Sequence, residues 1–586
     1  MCGIAGIMFR EGKSPDASIL ESFARALGHR GPDGEGKYLA GPVAMVHTRL
    51  AVIDLKTGDQ PIYEPGGAAL IANAEIYNHL ELRATLGDIP QSTQSDCEPP
   101  LHLYRRNGLS FTDSLRGMYA IAIHDPVEAC LILARDPFGI KPLYYAETED
   151  HFAFASEPQA LLAASVTAPE LATEHRNELL QLQFTCGRST IFRGINRVLP
   201  GETMIVRDGR VVERCRRTAL PAGGPEKCEI DEGLTRLDAA LEDSVTLHQR
   251  SDVPYGLFLS GGIDSSAILA LMSRLNERPV KAYTAGFSGT AVADEREHAR
   301  DLAKTVGAEF HSVDFTDSDF WALLPEIAGA MDDPAADYAI LPTWKLAQEA
   351  ARDLKVVISG EGGDELFGGY GRYRSALRPW WQGGRMMRAT GIVEGLGILR
   401  EDSGSWRDAI ATAEVTATDP RRSRLQIAQA VDMTDWLPND LLTKLDRCLM
   451  AHGMEGRTPF LDTQVADAVF RLPDKLKIHK QQGKWILRRW LDQVLPSARA
   501  FDRKRGFTVP VGEWIFQRGG DLGPLVAASP AITETCHPDR VVALYKSKKK
   551  RARIAGWVLL FCALWHKRHI LGQQSEGDVF DVLSAY

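Results

Sequence analysis

Three stretches of the chain carry residue types that could do covalent or phosphate chemistry. Cys2 follows Met1 directly, and trimming of the methionine, expected before a small residue, would leave a thiol and a free α-amine on one residue. Such an amine, with an ordinary pKa of about 8, can take the thiol proton directly or through water, giving a nucleophile for a carbonyl carbon. By position alone, a small buried cysteine is an equally good reading. In FLSGGIDSSAIL, Phe258 to Leu269, two glycines and three hydroxyls lie between a predicted strand and a predicted helix. Glycines let the backbone approach a ligand, successive N–H groups form an anion nest, and the helix directs its positive end at it, which suits pyrophosphate. Asp264 cannot favour bare phosphate, so it reads as a magnesium ligand or a positioning group. In VVISGEGGDELFGGYGRY, Val356 to Tyr373, the carboxylates Glu361, Asp364 and Glu365 sit in a glycine-rich loop after another apolar run. A solvated acidic loop is the alternative there. The chain has no Walker string ending in GKS or GKT and no GxGxxG after a strand.

These residues need elements to hold them. Up to about Arg217 the sequence runs as short apolar stretches broken by turns, VAMVHTRLAVIDL, AALIANAEIY, MYAIAIHD and CLILARD, which predict strands of stacked sheets. SILESFARALGHR and SDCEPPLHLYRRNG predict helices around them, giving an α+β layered domain. TALPAGGPEKCEI, Thr218 to Ile230, loses hydrophobic periodicity and gathers Pro and Gly, as a linker does. The domains are therefore expected at 1–217 and 231–586, joined by 218–230. The second begins with the helical GLTRLDAALEDSV and then alternates, PYGLFL before SSAILALMSRL, KAYTAGF before EHARDLAKTVG, and later KVVISG. Alternation of this kind predicts a parallel sheet with ligands at the carboxyl ends of its strands.

Bulk properties agree with a folded two-domain protein. The 586 residues exceed what one hydrophobic core organises, and 44% hydrophobic with 25% charged residues is an ordinary globular composition. A net charge of -9 argues against a nucleic-acid partner, which needs a basic face; the run KSKKKRAR, Lys546 to Arg553, reads as a solvated charged turn. The nine cysteines are odd in number and include no CxxC pair, which predicts neither a disulfide framework nor a zinc site. MCGIAGIMFREG lacks the basic start and apolar stretch of a signal peptide, and IAGWVLLFCALW is too short to span a bilayer, so a cytoplasmic location without a membrane partner is expected.

Taken in order, MCGIAGI, HRGPDGEG (His29 to Gly36), RLAVIDL (Arg49 to Leu55), NAEIYNH (Asn73 to His79) and SDCE (Ser95 to Glu98) resemble the glutaminase domain of class II glutamine amidotransferases, an N-terminal-nucleophile fold of stacked antiparallel sheets with helices. The resemblance implies that Cys2 attacks the glutamine amide, forming a thioester and releasing ammonia. It puts glutamine against Arg49, Leu50, Ala51, Val52 and Ile53, with Arg49 pairing the α-carboxylate by its fork. Glu75 and Asp96 would receive the α-ammonium or order its neighbours, and Asn73 with the N–H of Ala74 would stabilise the oxyanion. NAE stands where the family pattern has NGE, which matters only if that position needs positive φ.

SGGIDS resembles the pyrophosphate loop of enzymes that cleave ATP to AMP and pyrophosphate, and SGEGGDE resembles the synthetase loop of asparagine synthetases. Three later strings extend that likeness: LDRCLMAHGMEGRTPFLD (Leu445 to Asp462), GKWILRRWL (Gly483 to Leu491) and RKRGFTVPVGEWI (503–515). The resemblance implies an α/β pyrophosphate-loop domain that binds ATP through Leu259, Ser260, Gly261, Gly262, Asp264 and Ser265, with Ala285, Ser359 and Gly360. Glu361 and Lys484 would be catalytic, Lys484 on phosphate charge, and Asp264 and Asp364 would hold Mg2+. Asp446 is a weaker candidate, and EGRTPFLD departs from the common EVRVPFLD at Gly456 and Thr458.

Together the halves imply that ammonia made at Cys2 travels to a carboxylate activated as acyl-AMP, with glutamine, aspartate and ATP as substrates; a homodimer is allowed but not specified. The nearest rival is an amidotransferase of the same architecture acting on a peptide, cell-surface or natural-product carboxylate, its acceptor pocket in loops that include the irregular stretch 380–422. A non-catalytic relative would not keep Cys2, Asp264, Glu361 and Lys484 together. tRNA thiolation would call for a basic surface and further cysteines near the pyrophosphate loop, and β-lactam-forming relatives generally lack the N-terminal cysteine.

Overall fold

The computed structural model describes residues 2–290, 294–379, 381, 387–401, 404–502, 509–574 and 576–585. The string RKRGFT at 503–508 and Met1 lie outside the described residues, as does part of 380–422.

The first half is a sandwich of two six-stranded antiparallel sheets. One sheet runs Ile195–Arg197, Tyr144–Glu147, His151–Ala155, Gly3–Phe9, Val43–Arg49, Gly34–Ala40; the other runs Arg210–Arg216, Glu202–Arg207, Cys130–Arg135, Gly117–Asp125, Ala69–Ile76, Ile62–Tyr63. Alternation along the strands explains the layering. Ile4, Met8 and Met45 of one sheet meet Ile71, Ala120 and Leu133 of the other between the sheets. Their neighbours Ala5, Ile7 and Val46 point outward onto Leu20, Phe23 and Leu27 of the helix Ala17–Leu27. On the far side Leu70, Ala72 and Ile121 pack on Leu101 and Leu103 of the helix Glu98–Asn107. Period 2 thus puts one apolar set inside and the other under helices, giving four layers.

The second half is built on a five-stranded parallel sheet in the order Glu309–Asp314, Lys281–Gly286, Tyr255–Phe258, Val356–Ile358, Glu455–Arg457. Its first strand in sequence is central, and the chain winds outward first to one side and then to the other. The switch point therefore lies between Tyr255–Phe258 and Val356–Ile358, the crevice where open α/β sheets bind ligands. SGGIDSS and SGEGGDE follow these two strands.

IAGWVLLFCALW lies inside the helix Lys550–His569, buried in the protein, with Trp557 Nε1 donating to Ala336 O at 2.7 Å and Trp565 Nε1 to Met331 O at 2.8 Å. No described helix is long and apolar enough to cross a membrane. The nine cysteines are unbonded.

Candidate active sites

Cys2 precedes the central strand Gly3–Phe9 of the first sheet, and Asn73 lies on Ala69–Ile76 of the second, so the two meet at the mouth of the sandwich. Cys2 N donates to Asn73 Oδ1 at 3.1 Å. Asn73 is fully buried, yet its Nδ2 has no hydrogen-bond partner. A buried donor left unmade costs about 1–3 kcal/mol, so this amide beside the Cys2 thiol is a donor open to a ligand. Cys2 Sγ stands 3.9 Å from Leu50 O. Burial pushes this thiol above its ordinary value, so it needs a base near neutral pH.

Ala74 has no left-handed backbone; it sits within the strand Ala69–Ile76, and the departure from NGE brings no φ strain. Arg49, at the end of Val43–Arg49, gives Nη1 to Asp59 at 2.7 Å and Nη2 to the carbonyl of Asp54. Leu50 and Val52 pack on Val356 and Met450 of the other half, with Ile53 beside them, and Ala51 N donates to Asp33 at 2.8 Å. The RLAVIDL segment is therefore a docking loop as well as a candidate substrate wall. Glu75 is held by Arg457 Nη2 at 2.9 Å, with burial pushing its carboxyl up. Asp96 Oδ2 accepts from Ile76 N at 2.7 Å, and burial raises its pKa to about 6.

In the second half the SGGIDSS loop is tied to itself. Ser260 Oγ and Ser265 Oγ are 3.0 Å apart, Gly262 N donates to Ser260 Oγ at 3.2 Å, and the helix Ile263–Leu275 starts immediately after. Gly261 takes φ +71 and Gly362 φ +90, and a side chain on Gly360 would meet Asp264 Cβ at 3.0 Å. These glycines let the two loops touch. Two adjoining cavities open on them. One, of about 250 Å³, is lined by Leu259, Ala285, Ser359, Gly360, Glu361 and Lys444 among others; the second, of about 390 Å³, by Gly261, Gly262 and Lys484, and both share Ser260, Asp264 and Asp364. No described residue of 380–422 lines either cavity. Within that stretch the helix Asp408–Ala417 lines a separate cavity with Thr218, Ala219 and Leu220, while Arg388 stacks on Trp436, which packs on Tyr370 of both cavities.

Lys484 caps the helix Trp485–Val494 with φ 57, and its ammonium lies between Asp264 Oδ2 and Asp364 Oδ1, 2.7 Å from the latter. Burial alone would lower its pKa, but the two carboxylates outweigh that and raise it. Sequence reasoning missed Lys444, on the helix Leu442–Met450, whose buried Nζ stands 3.2 Å from Glu361 and 3.7 Å from Asp337. It also missed the role of Arg30, which gives Nε to Cys2 O at 3.2 Å and its other nitrogens to Glu157 and Asp446. The signal was present: both are cations inside otherwise apolar or turn-rich strings, and buried charge must be paired. Gly456 lies in the edge strand Glu455–Arg457 where a side chain would meet Leu449 Cδ1 at 2.6 Å.

Comparison with known proteins bears on both halves. Residues 236–567 match the asparagine synthase family model, and 1–216 match the glutamine amidotransferase domain model. A Mycobacterium tuberculosis protein named "Putative asparagine synthetase [glutamine-hydrolyzing]" is 34% identical, covering 97% of each chain. Asparagine synthetase [glutamine-hydrolyzing] 1 of Bacillus subtilis is 31% identical over 97% of each chain, and asparagine synthetase B of Escherichia coli 28% identical over 88% of this chain and 83% of its own. A two-domain chain with an antiparallel sandwich, a parallel sheet carrying SGGIDSS at its switch point, and matches to both family models belongs to the glutamine-hydrolysing asparagine synthetase family of enzymes.

Proposed function

We propose that the enzyme makes asparagine from aspartate, glutamine and ATP, with residues 1–217 supplying ammonia and residues 231–586, beyond the linker 218–230, using it. Once Met1 is removed, the nitrogen of Cys2 is the base. It takes the thiol proton, Sγ attacks the glutamine side-chain carbonyl carbon, and ammonia leaves with a proton, giving a thioester. Water then attacks the thioester, releasing glutamate and restoring the thiol. Asn73 Nδ2 and Ala74 N–H serve the oxyanion of both steps. Arg49 takes the substrate α-carboxylate, displacing the exposed Asp59, and Asp96 the α-ammonium.

In the synthetase half an oxygen of the aspartate β-carboxylate attacks the α-phosphorus of ATP and pyrophosphate leaves. Ammonia attacks the acyl carbon, AMP leaves with the C–O electrons, and the surplus proton goes to a base, for which Glu361 is the carboxylate at hand. Lys484 neutralises phosphate charge. Asp264 and Asp364 already share one cation, and no cluster of three or more metal-ligating side chains occurs among the described residues. That donor set fits Mg2+, which uses one or two carboxylates with phosphates and waters; bound there it would neutralise the triphosphate.

The observation that carries this reading is the facing of SGGIDSS and SGEGGDE on adjoining cavities that share Asp264 and Asp364. Pyrophosphate release with ATP, magnesium and glutamine should rise strongly on adding aspartate, with asparagine identified by mass. A response to another carboxylate, with none to aspartate, would instead assign the enzyme to the rival acceptor class.

A further inference from the structure

Between the halves, away from both sites, a cavity of about 460 Å³ opens where the linker begins. Thr218, Ala219 and Leu220 line one side, directly after the sheet strand Arg210–Arg216, and the helix Asp408–Ala417 with Met433 lines the other. Its walls are mostly apolar, and Pro200, Leu220, Ala413 and Met433 form much of them.

Arginines rim this apolar space. Arg188 is spent on Glu202, at 2.8 and 2.9 Å. The other three have no carboxylate within ion-pair distance among the described residues, though Glu202 and Asp435 act on Arg216, Asp467 on Arg217 and Asp419 on Arg422 through space. Arg216 gives Nε to Pro200 O at 2.9 Å, Arg217 gives Nη1 to Thr112 O at 2.8 Å, and Arg422 gives Nη1 to Ala417 O at 3.2 Å. The Nε of Arg422 is buried without a partner. Asp435 also lines the cavity; its carboxylate accepts from Gly187 N and Asn439 Nδ2 and acts on Arg216 only through space. Arg216 is exposed and Arg217 and Arg422 half-buried, so each keeps N–H groups at the rim to offer an anion.

We propose that this cavity is a second ligand site, for a small organic anion with an acidic head, phosphate or carboxylate, on an apolar body. Guanidinium forks suit both kinds of head, and the alanine, proline and methionine walls suit the body. A ligand there touches the last residues of the glutaminase half, the linker and two helices of the synthetase half, so any affinity for the docked arrangement biases that docking.

The probe is 8-anilinonaphthalene-1-sulfonate, an aromatic body with one acidic head, followed by its fluorescence on the full chain. N-phenyl-1-naphthylamine, the same body without the charge, is the control. The wild type should bind the sulfonate at a site that Arg216→Ala with Arg422→Ala weakens at least tenfold, and that Ala413→Trp removes by filling the cavity. The uncharged probe should bind at least tenfold more weakly there. Circular dichroism and glutamine-dependent synthesis should be unchanged in the arginine variant, which keeps the test valid if the tryptophan variant does not fold. Phenyl phosphate and benzoate, as competitors, tell which head the site prefers. Sulfonate titrations that superimpose for wild type and the arginine variant, equal binding of the uncharged probe, or no displacement by either competitor would each overturn the proposal.

Discussion

Arg30 of the glutaminase half and Asp446 of the synthetase half meet in two hydrogen bonds, Nη1 to Oδ2 at 2.8 Å and Nη2 to Oδ1 at 3.0 Å, with Arg30 wholly buried. The pair is a joint between the sites. Arg30 Nε holds the carbonyl of Cys2, and two residues before Asp446, Lys444 holds Glu361. Burial pushes the Asp446 carboxyl up, but Arg30 outweighs it and holds the group below the ordinary range.

Asp446→Asn should therefore leave the buried guanidinium with Glu157 and a neutral amide, and cost about 1–3 kcal/mol, read by urea unfolding. Glutamate formed per asparagine should rise as the halves lose register. The pH sign follows from a lowered carboxylate pKa. The pair's contribution is fully present above the ordinary value near 4 and is lost as pH falls through the lower folded value, so the gap between wild type and variant should begin to narrow only below about pH 4 and close below the folded value. A variant as stable as wild type at pH 7 would deny the joint its role.

Cys2→Ala should abolish glutaminase activity and glutamine-dependent synthesis while ammonium salt at a pH of about 8 or above still supports amide formation with AMP and pyrophosphate released. Retained Met1 should give the same defect, because the base is then locked in a peptide bond. Wild-type glutaminase in Cys2→Ala would remove the nucleophile assignment. Loss of ammonia-dependent synthesis in a folded variant would remove the separation of the sites.

The alternating strings and the strand-then-helix order predicted the sheets of both halves because periodicity is a local property. AALIANAEIY and MYAIAIHD are strands, Ala69–Ile76 and Gly117–Asp125, and PYGLFL and KVVISG are neighbours at the switch point. VAMVHTRLAVIDL is a strand only to Arg49, because Leu50 and Val52 turn away to dock on Val356 and Met450. That contact joins residues about three hundred to four hundred apart, which no window of sequence can see. The same limit hid the partners of Arg30 and Lys444. Asp264, Asp364 and Lys484 were each legible as candidates from their strings, but not that one ammonium sits between the two carboxylates.

Lys484→Met should leave those carboxylates facing each other, raise the pKa of one of them, and reduce ATP–pyrophosphate exchange by at least a hundredfold. Lys484→Arg should not restore it, because a planar fork does not replace a point charge between two oxygens. Asp264→Asn and Glu361→Gln should abolish pyrophosphate formation while glutamate release survives in the other domain. Full synthetase activity in any of the three would strip that residue of its role.

Ala74→Gly restores the family's NGE but gains nothing, since Ala74 lies in a strand at ordinary φ. Greater backbone freedom in the unfolded chain should cost about 0.5–1 kcal/mol in thermal unfolding, with glutaminase kcat/KM within threefold of wild type. A large rise in glutaminase would mean the alanine methyl obstructs the oxyanion or the substrate.

Asp96 gives the sharpest pH test, because burial raises its pKa to about 6, into a range where the enzyme can be assayed. Only the ionised carboxylate attracts the α-ammonium of glutamine. kcat/KM for glutamine should then be level above about pH 6.5 on this limb and fall tenfold per unit below about 5.5, since that ratio reports groups of the free enzyme. The stability sign is the opposite. The folded protein keeps a proton that the unfolded carboxyl, at about 4, has lost, so this group's contribution falls as pH rises from about 4 to 6. Asp96→Asn keeps an oxygen for the Ile76 N–H, so it should be as stable as wild type at pH 7 or more so by about 1–3 kcal/mol, while kcat/KM is low and loses its acid limb. If the limb near 6 persists in Asp96→Asn, another group makes it and Asp96 does not hold the substrate ammonium.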